Sequence, residues 1–491
     1  MRREAALVAL LAVVACIRVD VYASAFPFFH NIDEYRHADR VLKYARGYWP
    51  EAELPPIEPH LAELIARYGT PEYTSPRDRF PQGAPPPTPP ERMTGLVRAL
   101  FEEKLVRLRE MESVDAQQPP LYPLVAGLWY RLGQRLGFTE IAGLYFVRWL
   151  NGAILAALVV SSWRFLLRSH PDEPHIRLGV LLWIAFYPSS VFYGISDDVG
   201  MPLLGGLAFA WIVLATAPGD TRPLLLTAAG GAFALALLEK WYALSFLSVA
   251  AFLALAQLRG AVRRGSTRHE LLAWSLFALA AGVPVALWIS RNLAVSGDAL
   301  GMALKSRHIG IAAVPPSLWI EHPLFHSWES LPFFSGMISS FWRGEVGWYK
   351  QTIRSVWLDA GYDATTIAAL ALAALACRRG SATRRVDGAA LVAVFTAFAM
   401  LAAMSIAYQL DPIRWAGRRY WSTGRWCAWA VLPFAIAYVR GVDVACRPVP
   451  TRLRRLAFWA LLGAILGAST LGGILLTRPV FASSWNWYHL P

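Results

Sequence analysis

The sequence predicts an all-α polytopic membrane protein. Of its 491 residues, 56% are hydrophobic and only 16% are charged, whereas a soluble protein of this size would need more charge to solvate its surface. The apolar residues fall into runs of roughly 17–25, the length that crosses about 30 Å of hydrocarbon. The 21 tryptophans and 18 tyrosines agree with this class, because both residues favour membrane–water interfaces.

The apolar runs predict about eleven transmembrane helices within one integral membrane domain covering residues 1–491. Length and charge indicate spans at 4–25, 140–166, 178–196, 199–217, 223–239, 241–258, 270–290, 363–377, 388–408, 426–441 and 456–476. An alternative for the first run is a secretory signal cleaved after Ala25. An uncleaved helix is favoured, since Arg18 and Asp20 interrupt the region before that point.

Arginine-rich loops set the predicted orientation. With the N-terminus in the cytoplasm, the inward loops are 164–177, 218–222, 259–269, 378–387 and 442–455, and three of them carry arginine clusters, as the positive-inside rule requires. This pattern explains the net charge of +13 without a nucleic-acid partner. The four scattered cysteines indicate neither a metal site nor a disulfide framework.

Two outward loops are long, at 26–118 and 291–362. In the first, residues 91–112 place leucines at helical spacing among charges, which predicts a helix on the membrane surface. Residues 119–136 are apolar but barely long enough to span, and we interpret them as an interfacial helix. The second loop is rich in Trp, Phe and His, and we expect it to lie along the interface.

Acidic and basic residues cluster where the predicted helices reach the outer face. Asp33 and Glu34 directly follow the first helix; they are either catalytic acids or the N-cap and first turn of a solvated helix. Asp197 and Asp198 lie between the third and fourth helices and could be functional or mark a tight turn. Lys240 follows Glu239 at the next outward junction, where it could bind an anion or simply snorkel.

The loop 409–425 is basic although the predicted topology places it outside. It carries Arg414, Arg418, Arg419 and Arg425 against the single acid Asp411. Because this opposes the usual charge bias, an anion at the outer face should favour it, and the planar fork of arginine suits phosphate. Anionic lipid headgroups are the alternative ligand.

These residues resemble motifs of the GT-C superfamily of membrane glycosyltransferases, which includes the protein O-mannosyltransferases of glycosyltransferase family 39 and the bacterial lipid A aminoarabinose transferase. In that family an Asp-Glu pair follows helix one and its Asp is catalytic, which Asp33-Glu34 matches. Arg36 resembles a basic residue that faces the lipid phosphate. Gln118 precedes a Pro-Pro-Leu-Tyr element, at a point where the family often has His or Lys.

Further motifs follow in the family's order along most of the chain. Arg148 resembles the arginine that opens the next helix, and Asp198 resembles the acid of the second outward turn, with Asp197 as an alternative counterpart. Lys240 is similar to the family's lysine before an aromatic residue or glycine. Gly424-Arg425-Trp426 resembles a late Gly-Arg-Tyr element, and Arg291-Asn292 with Gly297-Asp298 is similar to an Arg-Asn…Gly-Asp element.

The resemblance implies an inverting transferase that moves a hexose or pentose from a polyprenyl-phosphate carrier to a glycan, lipid or protein hydroxyl. Asp33, Glu34 and Asp198 would be catalytic, and Arg36, Lys240, Arg425 and Arg419 would bind the donor phosphate. Asp197 and Gln118 would orient the acceptor. A divalent metal (Mg or Mn) is used by some relatives, and no metal-ligand spacing occurs in this sequence.

The expected location is the bacterial plasma (inner) membrane, with the active site facing outward. Two other functions remain open. A lipid-linked sugar flippase or transporter would also need many helices, but it would often show paired halves with broken helices. An oligosaccharide ligase or polymerase would also carry outward arginines, but it would not require an Asp-Glu pair after helix one.

Overall fold

The computed structural model describes residues 2–29, 33–51, 53–71, 79, 83–88, 92–217, 220–326, 328–345, 347–348, 351–377, 383–413 and 419–490. Helices dominate this part of the chain, and its strands are two or three residues long. The prediction of an all-α polytopic membrane protein is confirmed, because eight described helices are long and apolar enough to cross a membrane.

The helices fall into the following order. The first half contains α1 (Arg2–Ala25), α2 (Glu34–Ala45), α3 (Pro59–Tyr68), α4 (Gly95–Arg109), α5 (Leu121–Arg135), α6 (Glu140–Ser169), α7 (Pro174–Ala185), α8 (Met201–Ala215) and α9 (Pro223–Leu237). The second half contains α10 (Phe246–Arg264), α11 (Thr267–Ser296), α12 (Ala303–Ile309), α13 (Ser330–Arg343), α14 (Val356–Cys377), α15 (Thr383–Ala407), α16 (Val431–Ala445) and α17 (Thr451–Ala482).

Short 3₁₀ helices and antiparallel strands connect these elements. The 3₁₀ segments are Ser190–Tyr193, Trp241–Ser245, Pro316–Glu321, Pro323–Phe325 and Gly424–Ala430. Strands β1 (Thr216–Ala217) and β2 (Asp220–Thr221) pair with each other, as do β4 (Gly347–Trp348) and β5 (Gln351–Thr352). Strand β3 (Ile311–Ala313) pairs with β6 (Tyr408–Leu410) and so ties the second outward loop to the end of α15.

Three of the predicted spans are shorter helices in the structure. The segments 178–196, 199–217 and 223–239 correspond to α7, α8 and α9, whose 12–15 residues fall short of a full crossing. Helix α7 ends early because Pro188 disfavours helical backbone at the residue before it. The predicted run therefore merges one short helix with an irregular segment.

Side chains satisfy the backbone of this irregular segment, whose residues 189–200 are all buried. Asn151 donates to the carbonyls of Phe192 and Gly194 at 3.1 and 2.8 Å. Arg18 donates to the carbonyl of Tyr187 at 2.8 Å. Non-helical backbone at membrane depth needs such partners, because lipid offers none. The segment can then end in the Asp197-Asp198 turn.

The other predicted spans shift mainly at their ends. Helix α11 runs to Ser296 and α14 begins at Val356, so the second outward loop is shorter than 291–362. The span predicted at 426–441 begins inside the 3₁₀ turn Gly424–Ala430, and the last predicted span lengthens to Thr451–Ala482.

The long helices pack against one another around one central span. Helix α1 packs along α6, α9 lies between α8 and α11, and α14 packs on α16. The span Gly424–Ala445 is almost wholly buried and lies at the centre. In the first loop, α2 packs on the short helix α5, whereas α4 has no buried residue. Helices α4 and α5 occur where they were predicted, within residues 91–112 and 119–136.

Candidate functional site

A cavity of about 320 Å³ lies where α2, α12 and the two 3₁₀ segments Trp241–Ser245 and Gly424–Ala430 meet. Six of the predicted site residues line it: Asp33, Arg36, Gln118, Asp198, Lys240 and Arg425. They come from five separate parts of the chain, and the charge pattern assigned those parts to one face of the membrane. Glu34, Asp197 and Arg419 do not line the cavity.

Asp33 precedes α2 in a left-handed backbone conformation, with φ of 63°. Its carbonyl accepts the first helical hydrogen bonds, but its side chain makes no capping hydrogen bond within the described chain. Asp33 therefore occupies the N-cap position of α2, as the alternative expected, but its side chain does not cap the helix. The side chain is 30% exposed and lines the cavity, so its carboxylate is accessible to a ligand.

Cations surround the Asp33 carboxylate. The Arg36 Nη1 atom lies 3.5 Å from Asp33 Oδ1, and Arg425 Nη2 lies 3.8 Å from Oδ2. Burial alone would raise the pKa of Asp33, but Arg36, Lys305 and Arg425 outweigh it and hold that pKa below its usual range. Asp33 is therefore ionised at neutral pH.

Glu34 has a different environment from its neighbour. It is fully buried and accepts two hydrogen bonds from Arg148, at 2.8 Å from Nε and 2.7 Å from Nη2. The amide of Ile195 donates to the same carboxylate at 2.8 Å. Arg148 also donates to the carbonyl of Ala23 at 2.8 Å. The Glu34–Arg148 pair thus joins α1, α6 and the irregular segment.

Asp197 lies beneath the cavity floor and is 1% exposed. Its Oδ1 atom lies 2.5 Å from His37 Nδ1, and its Oδ2 atom accepts from Arg40 at 2.6 Å and lies 3.4 Å from Lys240 Nζ. Burial opposes its ionisation, but His37, Lys240 and Arg40 hold the pKa of Asp197 well below its usual range. An ionised Asp197 therefore positions Lys240 at the edge of the cavity.

Lys240 itself stays protonated. Burial would lower its pKa, but Asp197 and Asp198 raise that pKa above its ordinary value. Its side chain lines the cavity and is 11% exposed. It is therefore a fixed positive charge that a bound anion can approach.

Arg425 lies among three carboxylates. Its Nε atom is 3.4 Å from Glu345 Oε2 and 3.8 Å from Asp198 Oδ2, and its Nη2 atom approaches Asp33. These distances exceed those of strong charge-assisted hydrogen bonds, and Arg425 Nε has no hydrogen-bond partner in the described part of the chain. The guanidinium group keeps hydrogen-bonding capacity for a ligand.

Sequence reasoning missed two charged residues of the site. Glu345 lines the cavity and follows α13; as an isolated acid in a long loop it carried no sequence signal. Lys305 of α12 also lines the cavity, with its Nζ atom 2.9 Å from Asp115 Oδ1. Lysine is scarce in this chain, and two of its five lysines line the cavity, so scarcity was a usable signal for Lys305.

Gln118 and Arg419 have different surroundings from those expected of ligand-binding groups. Gln118 donates to Asp115 Oδ1 at 3.0 Å, and its carbonyl accepts from Arg40, which favours a structural role at the cavity edge. Arg419 is exposed, and its backbone carbonyl accepts a hydrogen bond from the Leu410 amide. Arg414 and Arg418 of the same basic loop lie outside the described residues.

One side of the cavity is apolar. Its wall consists of Leu300, Met302, Ile309, Ile311, Met404 and Leu410, contributed by the second outward loop and the end of α15. Three of the aromatic residues that line the cavity, Tyr242, Trp421 and Trp426, form a group joined by ring contacts. The cavity can therefore accept a ligand that is anionic at one end and apolar at the other.

The carboxylates do not form a metal site. Asp33, Asp198 and Glu345 each face the Arg425 guanidinium group, so a cation of the protein already occupies the point where they converge. In the described ranges, no group of three or more His, Cys, Asp or Glu residues has the arrangement needed to hold an ion. The residues therefore do not fit a divalent metal.

Several solved structures are similar to this chain. Two of them are ArnT from Cupriavidus metallidurans in the apo state, at 12% identity and a TM-score of 0.47, and the same protein bound to undecaprenyl phosphate, at 13% identity and a TM-score of 0.45. The first match covers 96% of this chain and 73% of that chain; the second covers 97% and 74%. No family model matches the sequence. No curated protein matches it.

Proposed function

We propose that this protein is an inverting glycosyltransferase of the bacterial plasma membrane, moving a sugar from a polyprenyl phosphate to a hydroxyl at the outer face. The observation that carries the proposal is the ionised, accessible Asp33 in one cavity with Arg36, Lys240, Lys305 and Arg425. A transfer of this kind needs a base for the acceptor and cations for the departing phosphate, and both are present there.

Asp33 acts as the general base. The acceptor hydroxyl attacks the anomeric carbon as the carbon–oxygen bond to the phosphate breaks. The hydroxyl proton passes to the Asp33 carboxylate, and the bonding electron pair leaves on the phosphate. A single displacement of this type inverts the configuration at the anomeric carbon.

The cations bind the phosphate and also regulate the base. In the protein without donor, Asp33 is a weak base because Arg36, Lys305 and Arg425 lower its pKa. When these cations pair with the donor phosphate, its negative charge offsets their effect, and the pKa of Asp33 rises towards that of an ordinary carboxyl. The base therefore strengthens when the donor is bound.

The apolar wall explains the choice of a lipid-linked donor. Leu300, Ile309, Ile311 and Met404 line the cavity beside the charged groups, and the first isoprene units of a polyprenyl chain would be buried there. A soluble sugar nucleotide would gain nothing from this wall. The acceptor is a hydroxyl of a glycan, a lipid or a protein.

The test is transfer by purified protein in lipid nanodiscs, supplied with radiolabelled polyprenyl-phosphate hexoses and pentoses and an extract of envelope acceptors. Lys240→Ala and Arg425→Ala should each raise the donor KM by about 5- to 150-fold, the effect of losing a charge-assisted hydrogen bond of about 1–3 kcal/mol. The matched control is Arg419→Ala, which removes an exposed arginine of the same loop and should leave the donor KM unchanged.

Two rivals predict other results. A flippase or transporter would move the labelled lipid across a vesicle membrane without breaking the sugar–phosphate bond. A ligase or polymerase would transfer a preassembled oligosaccharide and reject monosaccharide donors. Normal donor kinetics in both Lys240→Ala and Arg425→Ala would remove the phosphate-binding role.

A further inference from the structure

We propose that Tyr242, Trp421 and Trp426 form a sugar-binding subsite that takes the C–H face of one pyranose ring. This inference rests on the proposed transferase function, because it assigns a substrate unit to one wall of the same cavity. All three side chains line that cavity, and none of them belongs to the charged groups that carry the chemistry.

The aromatic wall is a preformed surface. The rings of Tyr242 and Trp426 are stacked, with centroids 4.5 Å apart and an interplanar angle of 17°. Trp421 contacts Trp426 nearly edge to face, at 5.6 Å and 62°. Aromatic side chains provide contact area at a small cost in conformational entropy, and each ring here is held by another. A ring-shaped ligand can therefore bind without rearrangement of this wall.

Trp421 supplies an unused hydrogen-bond donor. Its side chain is 6% exposed, and its indole N–H has no partner among the residues that the structure describes. A buried donor without an acceptor destabilises the folded protein, and native proteins seldom retain one without a reason. Three other described tryptophans also have buried, unpartnered indole N–H groups: Trp183, Trp274 and Trp288. Only Trp421 of these four lines the cavity.

These features together match a pyranose. One face of such a ring carries axial C–H groups that pack on an aromatic plane, and its rim carries oxygens that accept hydrogen bonds. An extended peptide would need several backbone donors and acceptors, whereas the buried donor without a partner that this wall provides among the described residues is the side-chain N–H of Trp421. The geometry therefore points to a sugar ring.

The ring belongs either to the donor or to a glycan acceptor. Trp426 adjoins Arg425 in sequence, and Tyr242 is two residues from Lys240. Because both of these cations are candidates for binding the phosphate, the wall lies close to the point where the donor sugar would be attached. The following experiment separates the two sources.

The binding test uses methyl glycopyranosides of several hexoses and pentoses with the nanodisc-embedded protein, observed by saturation-transfer NMR. We expect saturation of the C–H protons on one face of at least one glycoside, and none for acyclic mannitol. Trp426→Leu should abolish the effect. Trp421→Phe keeps an aromatic ring but removes the N–H, so affinity should fall about 5- to 10-fold, the value of one hydrogen bond.

A matched control separates binding from folding. Trp129→Phe removes an indole N–H that donates to the Phe146 carbonyl at 2.8 Å, remote from the cavity. It should lower the melting temperature without affecting glycoside binding. Trp421→Phe should lower the melting temperature less, because both variants lose the same side-chain volume but the Trp421 N–H has no internal acceptor among the described residues to lose.

Transfer kinetics identify the source of the ring. A raised donor KM in Trp426→Leu with an unchanged acceptor KM assigns the subsite to the donor sugar, and the reverse assigns it to the acceptor. If glycoside binding and both KM values equal those of the parent, the subsite is wrong although the transferase function stands. If glycosides bind through Trp426 but no polyprenyl-phosphate sugar is used, the proposed function is wrong and the subsite stands.

Discussion

Arg148 forms a bidentate ion pair with Glu34, in which the N···O distances are 2.8 and 2.7 Å and both side chains are fully buried. The pair fixes the start of α2 against α6. Since Asp33 is the preceding residue, the same pair determines where the candidate base lies. Glu34 thus acts on the site through Asp33 and makes no contact with the cavity.

Replacing Glu34 should therefore reduce the stability of the protein more than its catalytic rate. Glu34→Gln leaves the Arg148 charge buried without its counter-ion, which should cost about 3 kcal/mol of unfolding free energy. The control is Glu103→Gln, which breaks an exposed pair with Arg107 on α4 and should change stability little. Thermal unfolding in detergent gives the melting temperatures of the two variants and of the parent protein. Equal melting temperatures would show that the Arg148 pair does not hold the fold.

Asp33→Asn should remove activity and leave the fold intact. Asparagine has nearly the same volume but cannot accept the proton, so kcat should fall by about 10²–10⁴-fold. Stability should not change, because the Asp33 side chain caps no helix. Asp172→Asn, at an exposed turn in the predicted inward loop 164–177, is the matched control. A fully active Asp33→Asn protein would exclude Asp33 as the base.

The pH dependence of kcat/KM should report the cations around Asp33. The base acts when deprotonated, so activity is lost as the pH falls through its pKa, which lies below the usual range. Arg36→Gln removes one of the charges that lower this pKa, and the acidic limb of the profile should move to higher pH. Arg98→Gln, on the exposed face of α4, should leave the limb unchanged. The same acidic limb in Arg36→Gln and the parent protein would contradict the proposed coupling.

Gly424→Ala should displace Arg425. A Cβ atom at Gly424 would lie 1.9 Å from the Met337 carbonyl oxygen and 2.7 Å from the Phe341 amide nitrogen, so the 3₁₀ turn that carries Arg425 has to move away from α13. We expect a lower melting temperature and a raised donor KM. Gly463→Ala provides the comparison, because nothing lies within 4 Å of its Cβ position in the middle of α17. Similar donor KM values in the two variants would count against this placement of Arg425.

Local properties of the sequence were enough to predict the membrane class and most of the helices. The length of an apolar run and the charge of a loop do not depend on distant residues. They placed Asp33, Asp198, Lys240 and Arg425 at helix ends on one face of the membrane, and these side chains do line one cavity. The run 178–196 was predicted as one span from its hydropathy. Hydropathy cannot show that the side chains of Arg18 and Asn151 donate hydrogen bonds to the carbonyls of an irregular backbone.

Only the tertiary structure separated Asp33 from Glu34. The sequence presents them as a pair, but the left-handed φ of Asp33 begins α2 so that one carboxylate lines the cavity and the next is buried against Arg148. Glu345 and Lys305 enter the site by long-range packing, and Arg419 remains outside it although Arg425 of the same loop lies inside. Helix ends are local features of the chain, whereas the direction of each side chain depends on the neighbours that folding brings to it.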